Sequence, residues 1–497
     1  MTTKTTETQV LPSVQAFLNR DQRLLIGGRW LPSASGETFE TINPATGQTL
    51  CRVASGGPAD VDAAVTAAQS AFEAWAGTMP AQRERLLHRL ADLMEQHKDE
   101  LAQLETLDNG KPYRVAYNVE VNVAIGQMRY YAGLPTKLKG ETYAVSSPGY
   151  HVYTRREPLG VCAAITPWNY SIVMAVQKIG PALASGNTLI LKPAEQTPLT
   201  AIRLAELALE AEIPYGVFNL ITGFGHTAGA ALSHHPGIAK VAFTGSTEVG
   251  QEIMRAAAGN LKRISLELGG KSPLILFNDA DLDAASEAAL WAIFANSGQN
   301  CVAGSRLYVQ SGIYEDVVRY LGRRTGELNV GPGMEPTTEI GPLISQQQLG
   351  CVLDYVDRGV ATANLVAGGH RLGGRLQNGY FVEPTVFSRV KDSDAIATDE
   401  IFGPVLSVFP FDTEDEVVAR ANASPFGLAA GVWTNTLGTA HRVAARLKAG
   451  VVWINTYDWF DPAVPFGGSG QSGIGRELGT QVIDMYTELK SVWVKIG

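Results

Sequence analysis

The chain has 497 residues, 45% of them hydrophobic, with 40 basic against 49 acidic side chains and a formal net charge of −9. That length gives room for two or three domains of about 100–200 residues each, and the apolar share supports a large core and argues against disorder. The acidic balance, with no dense Lys/Arg run, argues against a counterion-displacing face, so no nucleic acid partner is expected.

The four cysteines (Cys51, Cys162, Cys301 and Cys351) are widely spaced, and none forms a CxxC pair. No histidine cluster stands near them at zinc-ligand spacing, so neither a disulfide framework nor a metal site is expected. A reducing, cytoplasmic setting fits such sparse cysteine use. The leading MTTKTTETQ has no apolar signal-peptide core, and the apolar stretches are broken by Gly or Pro, so no membrane partner is expected either.

Along the chain, residues 1–20 read as a loose arm. From Asp60 to Ala76, Val61, Ala64, Val65, Ala68, Phe72 and Trp75 fall on one helical face. Pro80 suits a helix start, and the run after it sets Leu86, Leu87, Leu90, Leu93, Met94, Leu101 and Leu104 at three- and four-residue spacing. From about residue 160 the texture changes. VCAAIT, TLILK, VFNLIT, KVAFT, RISLEL and PLILF resemble buried strands, separated in several places by helical segments such as TAIRLAELALEA. That alternation predicts an α/β fold with parallel sheets and crossover helices. A second alternating region runs from about 300 to 470, with a pivot at EIFGPVLSVF.

Three junctions could hold a nucleotide. Gly223-Phe-Gly225-His-Thr-Ala-Gly229 follows a strand and lets backbone approach a pyrophosphate, though a tight turn would look the same. Its spacing is one residue longer than the usual dinucleotide fingerprint. Phe243-Thr-Gly245-Ser246-Thr-Glu-Val-Gly250 ends a strand and opens a helix with good capping residues, which is also its plain structural reading. Lys192-Pro-Ala-Glu195 ends another strand, where the pair could grip ribose hydroxyls or simply form a surface ion pair. A carboxylate at Glu195 repels a 2′-phosphate and so favours NAD over NADP.

Three further residues could carry chemistry. Cys301 lies between glycines in Gly298-Gln-Asn300-Cys301-Val-Ala-Gly304, a setting that admits substrate and permits ionisation by local dipoles; most cysteines are small buried hydrophobes. Glu267 closes RISLEL before Gly269-Gly270-Lys271, as suits a partly buried general base or a carboxylate paired with Lys271. Asn169 in Thr166-Pro167-Trp168-Asn169-Tyr170 could donate to an oxyanion, an effect worth ~3 kcal/mol, or cap a helix.

Taken together, Ile165-Thr-Pro-Trp-Asn-Tyr, Leu191-Lys-Pro-Ala-Glu-Gln-Thr-Pro, Phe243-Thr-Gly-Ser-Thr-Glu-Val-Gly, Leu266-Glu-Leu-Gly-Gly-Lys-Ser-Pro and Gly298-Gln-Asn-Cys resemble the aldehyde dehydrogenase superfamily in its order. So do Glu400-Ile-Phe402-Gly-Pro-Val and Pro465-Phe-Gly-Gly, and the likeness runs from about Ile26 to the C-terminus. It implies a Rossmann-like NAD-binding domain (21–138 and 161–269), an α/β catalytic domain (270–470) and a small β oligomerisation flap (139–160 and 484–497). A homodimer or homotetramer follows as the expected assembly.

The resemblance also implies roles. Cys301 attacks the aldehyde, Asn169 with the Cys301 N–H holds the oxyanion, and Glu267 activates the water that releases the acid. Lys192 and Glu195 hold the adenosine ribose, Glu400 the nicotinamide ribose, Phe402 lies beside the nicotinamide, and Ser246 touches the pyrophosphate. Ile165, Thr166, Pro167, Trp168, Gly225, Gly229, Phe243, Gly245, Leu268 and Gly269 complete the cofactor set. Lys178 and Glu477 resemble a proton-exit pair.

Departures gather where substrate enters. Ser171 stands where Pro is frequent, Gln177 where many relatives carry Trp, and Asn300 at a variable position. A tunnel is expected from Tyr170, Met174, Gln177, Trp459, Phe460 and Phe466, with Asn300 and Val302 beside the nucleophile and Asp458 or Asp461 near the mouth. These aromatics point to an aromatic or moderately polar aldehyde; ordinary packing would use the same residues. Transfer of the acyl group to coenzyme A is disfavoured by Glu267, since acylating relatives usually lack it. A non-catalytic binding module is disfavoured because nucleophile, oxyanion donor and base are all present.

Overall fold

The structure is a computed structural model and describes residues 8–496. Two large sheets dominate it; five of the short apolar runs noted above lie in the first, and PLILF lies in the second. The first has eight strands in the order Arg29–Leu31, Leu24–Ile26, Phe218–Leu220, Thr188–Lys192, Val161–Ile165, Lys240–Thr244, Arg263–Glu267 and Gly473–Ile474. Its five central strands are parallel, and each of the three added at the edges pairs antiparallel with its neighbour. Strands Val161–Ile165, Thr188–Lys192 and Lys240–Thr244 are buried throughout, as a sheet covered on both faces requires.

Strand order reverses between Val161–Ile165 and Lys240–Thr244. The chain lays Thr188–Lys192 and Phe218–Leu220 on one side, then crosses to lay Lys240–Thr244 and Arg263–Glu267 on the other. Such a switch point opens a crevice at the carboxyl ends of the strands.

The second sheet has seven strands in the order Asn364–Ala367, Thr385–Ser388, Val405–Phe411, Arg306–Gln310, Pro273–Leu276, Ala429–Trp433 and Val451–Ile454, all parallel but the first. Only Leu268 to Ser272 separate the end of strand Arg263–Glu267 from the start of Pro273–Leu276. The carboxyl edge of one sheet therefore leads directly to the amino edge of the other. A third, three-stranded sheet pairs Thr487–Lys495 with Tyr150–Pro158 over nine residues and adds Thr142–Tyr143. Trp493, Leu489, Tyr143 and Tyr150 stay exposed on it.

The helical expectations hold with three differences. Helix Pro58–Ala76 buries Val61, Ala64, Val65, Ala68 and Trp75, while Phe72 is only half-buried. The long leucine-bearing run is two helices, Pro80–Gln96 and Lys98–Asn109, broken at His97 (φ −100°, ψ 21°), and all seven predicted apolar positions are buried. The expected loose arm is partly helical. Pro12–Leu18 buries Val14 and Phe17 against the core, a hydrophobic gain that holds a short segment in place, and the first seven residues lie outside the described part.

Candidate active site

The three junctions expected to meet a nucleotide lie at the same carboxyl edge. Ile165 ends the strand at the switch point and Thr166 follows it; the Thr166 N–H donates to the Lys192 carbonyl at 3.1 Å, tying this strand end to the Lys192 junction. Lys192 is buried at its strand's end and its Nζ lies 3.0 Å from Glu195 Oε2, with the Glu195 side chain partly open to solvent. The pair is therefore no ordinary surface contact. Burial pulls the Lys192 ammonium below its usual range against the pull of Glu195.

At the second junction, Ser246 caps helix Thr247–Ala257 and its hydroxyl accepts from the Val249 N–H at 3.3 Å. The Gly245 N–H donates to the Glu267 carbonyl, and a Cβ on Gly245 would meet the Phe243 ring at 2.4 Å. The Gly225 junction differs from expectation. Residues Gly225–Gly229 form a π-helical turn that leads into the five-residue helix Ala230–His234, so the extra residue in its spacing is absorbed as a wide turn.

Glu267 ends its strand at the sheet edge, buried, and neither carboxylate oxygen has a hydrogen-bond partner among the described residues. Burial raises its pKa to about 8 against the nearby charges of Lys178 and Arg476. Lys271 does not pair with it. That ammonium is also buried without a partner, and burial together with Arg306 brings it down to about 7. The bridge after Glu267 is tight: Leu268 N–H donates to the Ser472 carbonyl, and a Cβ on Gly270 would lie 2.5 Å from the Cys301 carbonyl. Glu400 Oε1 accepts the Gly270 N–H at 2.9 Å, so Cys301, Gly270 and Glu400 adjoin.

Cys301 sits in a turn before strand Arg306–Gln310. Three consecutive left-handed residues, Asn296 (φ 50°), Ser297 (φ 57°) and Gly298 (φ 72°), reverse the chain ahead of it. A Cβ on Gly298 would meet the Gly403 carbonyl at 2.1 Å. The surroundings of this thiol work against its ionisation by local dipoles. Burial pushes the thiol up, and Glu400, Glu267 and Asp458 push it further.

Asn169 is buried and caps no helix. Its side-chain amide donates to the Gln299 carbonyl at 3.0 Å, two residues before Cys301, which leaves its second N–H free. Trp168 meets Phe402 edge-on with ring centroids 5.2 Å apart. Phe402 itself has φ 53° and is pinned by Gln348, whose amide donates to the Ile401 and Phe402 carbonyls, both at 2.9 Å. Lys178 donates to Thr244 Oγ1 at 2.9 Å and to the Glu477 carboxylate, in a pocket sealed from solvent.

Of the substrate candidates, Tyr170, Met174 and Gln177 follow one helical face, and Gln177 Oε1 is buried without a partner among the described residues. Phe466 is buried against Phe460 (5.3 Å), and Val302 is buried beside Cys301. Asn300 donates to Asp458 Oδ2 at 3.1 Å, and burial raises Asp458 to about 7 against that bond. Asp461 instead accepts from the Ala463 N–H at 2.8 Å in its own turn. Trp459 departs from expectation: the residue is 75% exposed where the chain turns at Asp458 (φ 60°), and its carbonyl accepts from Trp453 Nε1 at 2.9 Å. The sequence reading missed Lys111, Glu105 and Glu120, a buried charge cluster behind Asn169. The only signal for it was two acids and a lysine on otherwise buried stretches.

The chain matches the aldehyde dehydrogenase family over residues 30–492. It is 49% identical to the mitochondrial aldehyde dehydrogenase of Leishmania tarentolae over 95% of this chain and 94% of that one. Among solved structures it is similar to an aldehyde dehydrogenase from Bacillus cereus in complex with NAD+ (51% identity, TM-score 0.97, covering 99% of this chain and 100% of that one). It is also similar to the P. syringae indole-3-acetaldehyde dehydrogenase AldA, determined with NAD+ and IAA (45% identity, TM-score 0.94, 97% and 98% covered).

Proposed function

The chain belongs to the aldehyde dehydrogenase family, and from that premise we propose which of its residues oxidise an aldehyde to its carboxylic acid with NAD as hydride acceptor. The observation that carries the assignment is the adjacency of Cys301, Gly270 and Glu400, reached by the short bridge from Glu267. NAD, when bound, supplies the hydride acceptor. The residues at the switch point fit it: a capped helix start at Ser246, the buried Lys192 beside Glu195, and Glu400 over Gly269. Glu195 disfavours a 2′-phosphate and hence NADP.

Cys301, which is not fully buried, gives up its proton to water and forms a C–S bond to the aldehyde carbon, while the free Asn169 N–H and the Cys301 N–H receive the developing oxyanion. Hydride loss leaves a thioester on Cys301. Glu267 then takes a proton from water, whose oxygen attacks the acyl carbon; the C–S bond breaks and the acid leaves. A carboxyl raised to about 8 is, once ionised, a stronger base for that step than an ordinary carboxylate. Lys178 and Glu477, sealed from solvent beside Thr244, pass the proton onward.

The substrate is an aromatic or moderately polar aldehyde, a reading supported by Phe460 and Phe466 together with Gln177 and the Asn300–Asp458 pair. Assembly as a homodimer or homotetramer is supported by the exposed aromatic face of the three-stranded sheet. A cytoplasmic location is supported by four free cysteines.

The test is NADH formation across aliphatic, aromatic, amino- and semialdehydes, each with NAD and NADP, for the native chain and Cys301→Ala. Native turnover with NAD and none in the variant is expected, with NAD binding retained. Equal turnover in Cys301→Ala would sink the mechanism.

A further inference from the structure

Lys111 is wholly buried, although no step above uses it. It follows Gly110, whose left-handed φ of 96° turns the chain back on itself; a Cβ there would meet Pro342 at 2.5 Å. All three ammonium donors are used: Glu105 Oε1 at 2.9 Å, Glu120 Oε2 at 2.5 Å and the Asn169 backbone carbonyl at 2.9 Å. The ammonium also lies 5.0 Å from the centre of the Tyr170 ring. Glu105 is fixed in turn by Thr200 Oγ1 at 3.2 Å, and Glu120 ends the π-helical turn Ala116–Glu120, a distortion frequent at functional sites.

The rest of the loop is held as firmly. Asn109 donates to the Trp168 carbonyl at 2.8 Å. Asn296 donates to the Asn169 carbonyl at 3.0 Å and to the Gln299 carbonyl at 3.2 Å, and Asn169 itself donates to Gln299. The Asn169 carbonyl thus receives one charged and one neutral donor. A buried lysine between two carboxylates is weak evidence for stability, because desolvating three charges offsets most of their attraction. The third contact distinguishes this cluster from a simple staple between Lys98–Asn109 and the π-turn: it ends on the residue whose amide faces the nucleophile's loop.

We propose that Lys111 is a positioning residue for the oxyanion donor: by holding the Asn169 carbonyl it fixes the direction of the Asn169 side-chain N–H beside Cys301. Glu105 and Glu120 hold the ammonium in place for that contact. The inference rests on the reading of Asn169 as the oxyanion donor.

The experiment compares the native chain with Lys111→Met, Asn169→Ala and the pair combined, reading the pre-steady-state NADH burst rate, the aldehyde KM and the melting temperature. A neutral triple variant, Glu105→Gln with Lys111→Met and Glu120→Gln, keeps the packing without leaving buried carboxylates unpaired. It carries the test if Lys111→Met alone fails to fold. Lys111→Met and the triple variant should each slow the burst by about 10- to 100-fold with little change in KM, as a misplaced donor would. In the Asn169→Ala background, Lys111→Met should slow it by less than about twofold more, because the two residues act as one unit. Equal slowing in both backgrounds overturns the inference, as does a native burst in the triple variant. An unchanged burst in Asn169→Ala alone overturns the oxyanion reading and takes this inference with it.

Discussion

Gly269 and Glu400 are fitted to one another: a Cβ on Gly269 would lie 2.0 Å from Glu400 Oε2, while Glu400 Oε1 accepts the neighbouring Gly270 N–H at 2.9 Å. Only glycine lets this carboxylate rest on the bridge between the two sheets. Gly269→Ala should therefore displace Glu400 and weaken NAD binding about tenfold, or ~1.4 kcal/mol. Adding Gly269→Ala to Glu400→Ala should cost little more. Fluorescence titration with NAD checks both, and unaltered affinity in Gly269→Ala would remove Glu400 from the cofactor site.

Glu267 sets a pH dependence. Its carboxyl is raised to about 8 by burial, so the base form is scarce well below that pH and complete well above it. Acid release should accelerate with rising pH through about 8 and then level off. Glu267→Gln should abolish that limb, leaving a burst of NADH and a slow steady state wherever deacylation limits turnover. Stopped-flow absorbance of NADH across the pH range reads both effects. An identical pH profile in Glu267→Gln would exclude Glu267 as the base.

Lys178 and Glu477 are a buried pair, and breaking one side strands a charge. Lys178→Met should destabilise the fold by about 3–5 kcal/mol, and Lys178→Met with Glu477→Leu should recover much of the loss. Denaturant melts of the two variants measure it. Recovery of stability without recovery of turnover would assign the pair to proton movement, and full recovery of both would confine it to packing.

The three-stranded sheet carries the assembly prediction. Trp493 and Tyr150 stack edge-on with centroids 6.0 Å apart on an exposed face. Trp493→Glu places a charge there and should shift the chain toward monomer in light scattering. An unchanged mass would move the interface elsewhere.

Five of the six predicted strands are buried throughout and were legible because strands covered on both faces are largely apolar, as VCAAI and PLIL are; Arg263–Glu267 is buried only from Ser265 on. The break at His97 was not, since the leucine spacing runs straight through it and neither Gly nor Pro marks it. The nucleotide junctions could be read from glycines and caps, but the π-turn at Gly225–Gly229 is a matter of hydrogen-bond pattern that composition does not encode. Cys301, Glu267 and Asn169 stand in recognisable settings. The Asn300–Asp458 bond spans 158 residues and the Lys111–Asn169 contact 58, so neither has a local signature. Exposure is equally silent: Trp459 and Phe460 are adjacent aromatics, yet Trp459 lies much further into solvent.

Strand Arg263–Glu267 takes its last neighbour from Gly473–Ile474, and Ser472 Oγ closes on the Gly269 carbonyl 203 residues downstream. At a ribosomal pace of about 5–20 residues per second, that gap is on the order of 10–40 s of synthesis. The strand bearing Glu267 waits through that interval with an open edge. A nascent chain stalled before Ser472 therefore carries Cys301 but not the finished wall around Glu267, and activity should begin only after Ser472 and the strand that follows it have been made.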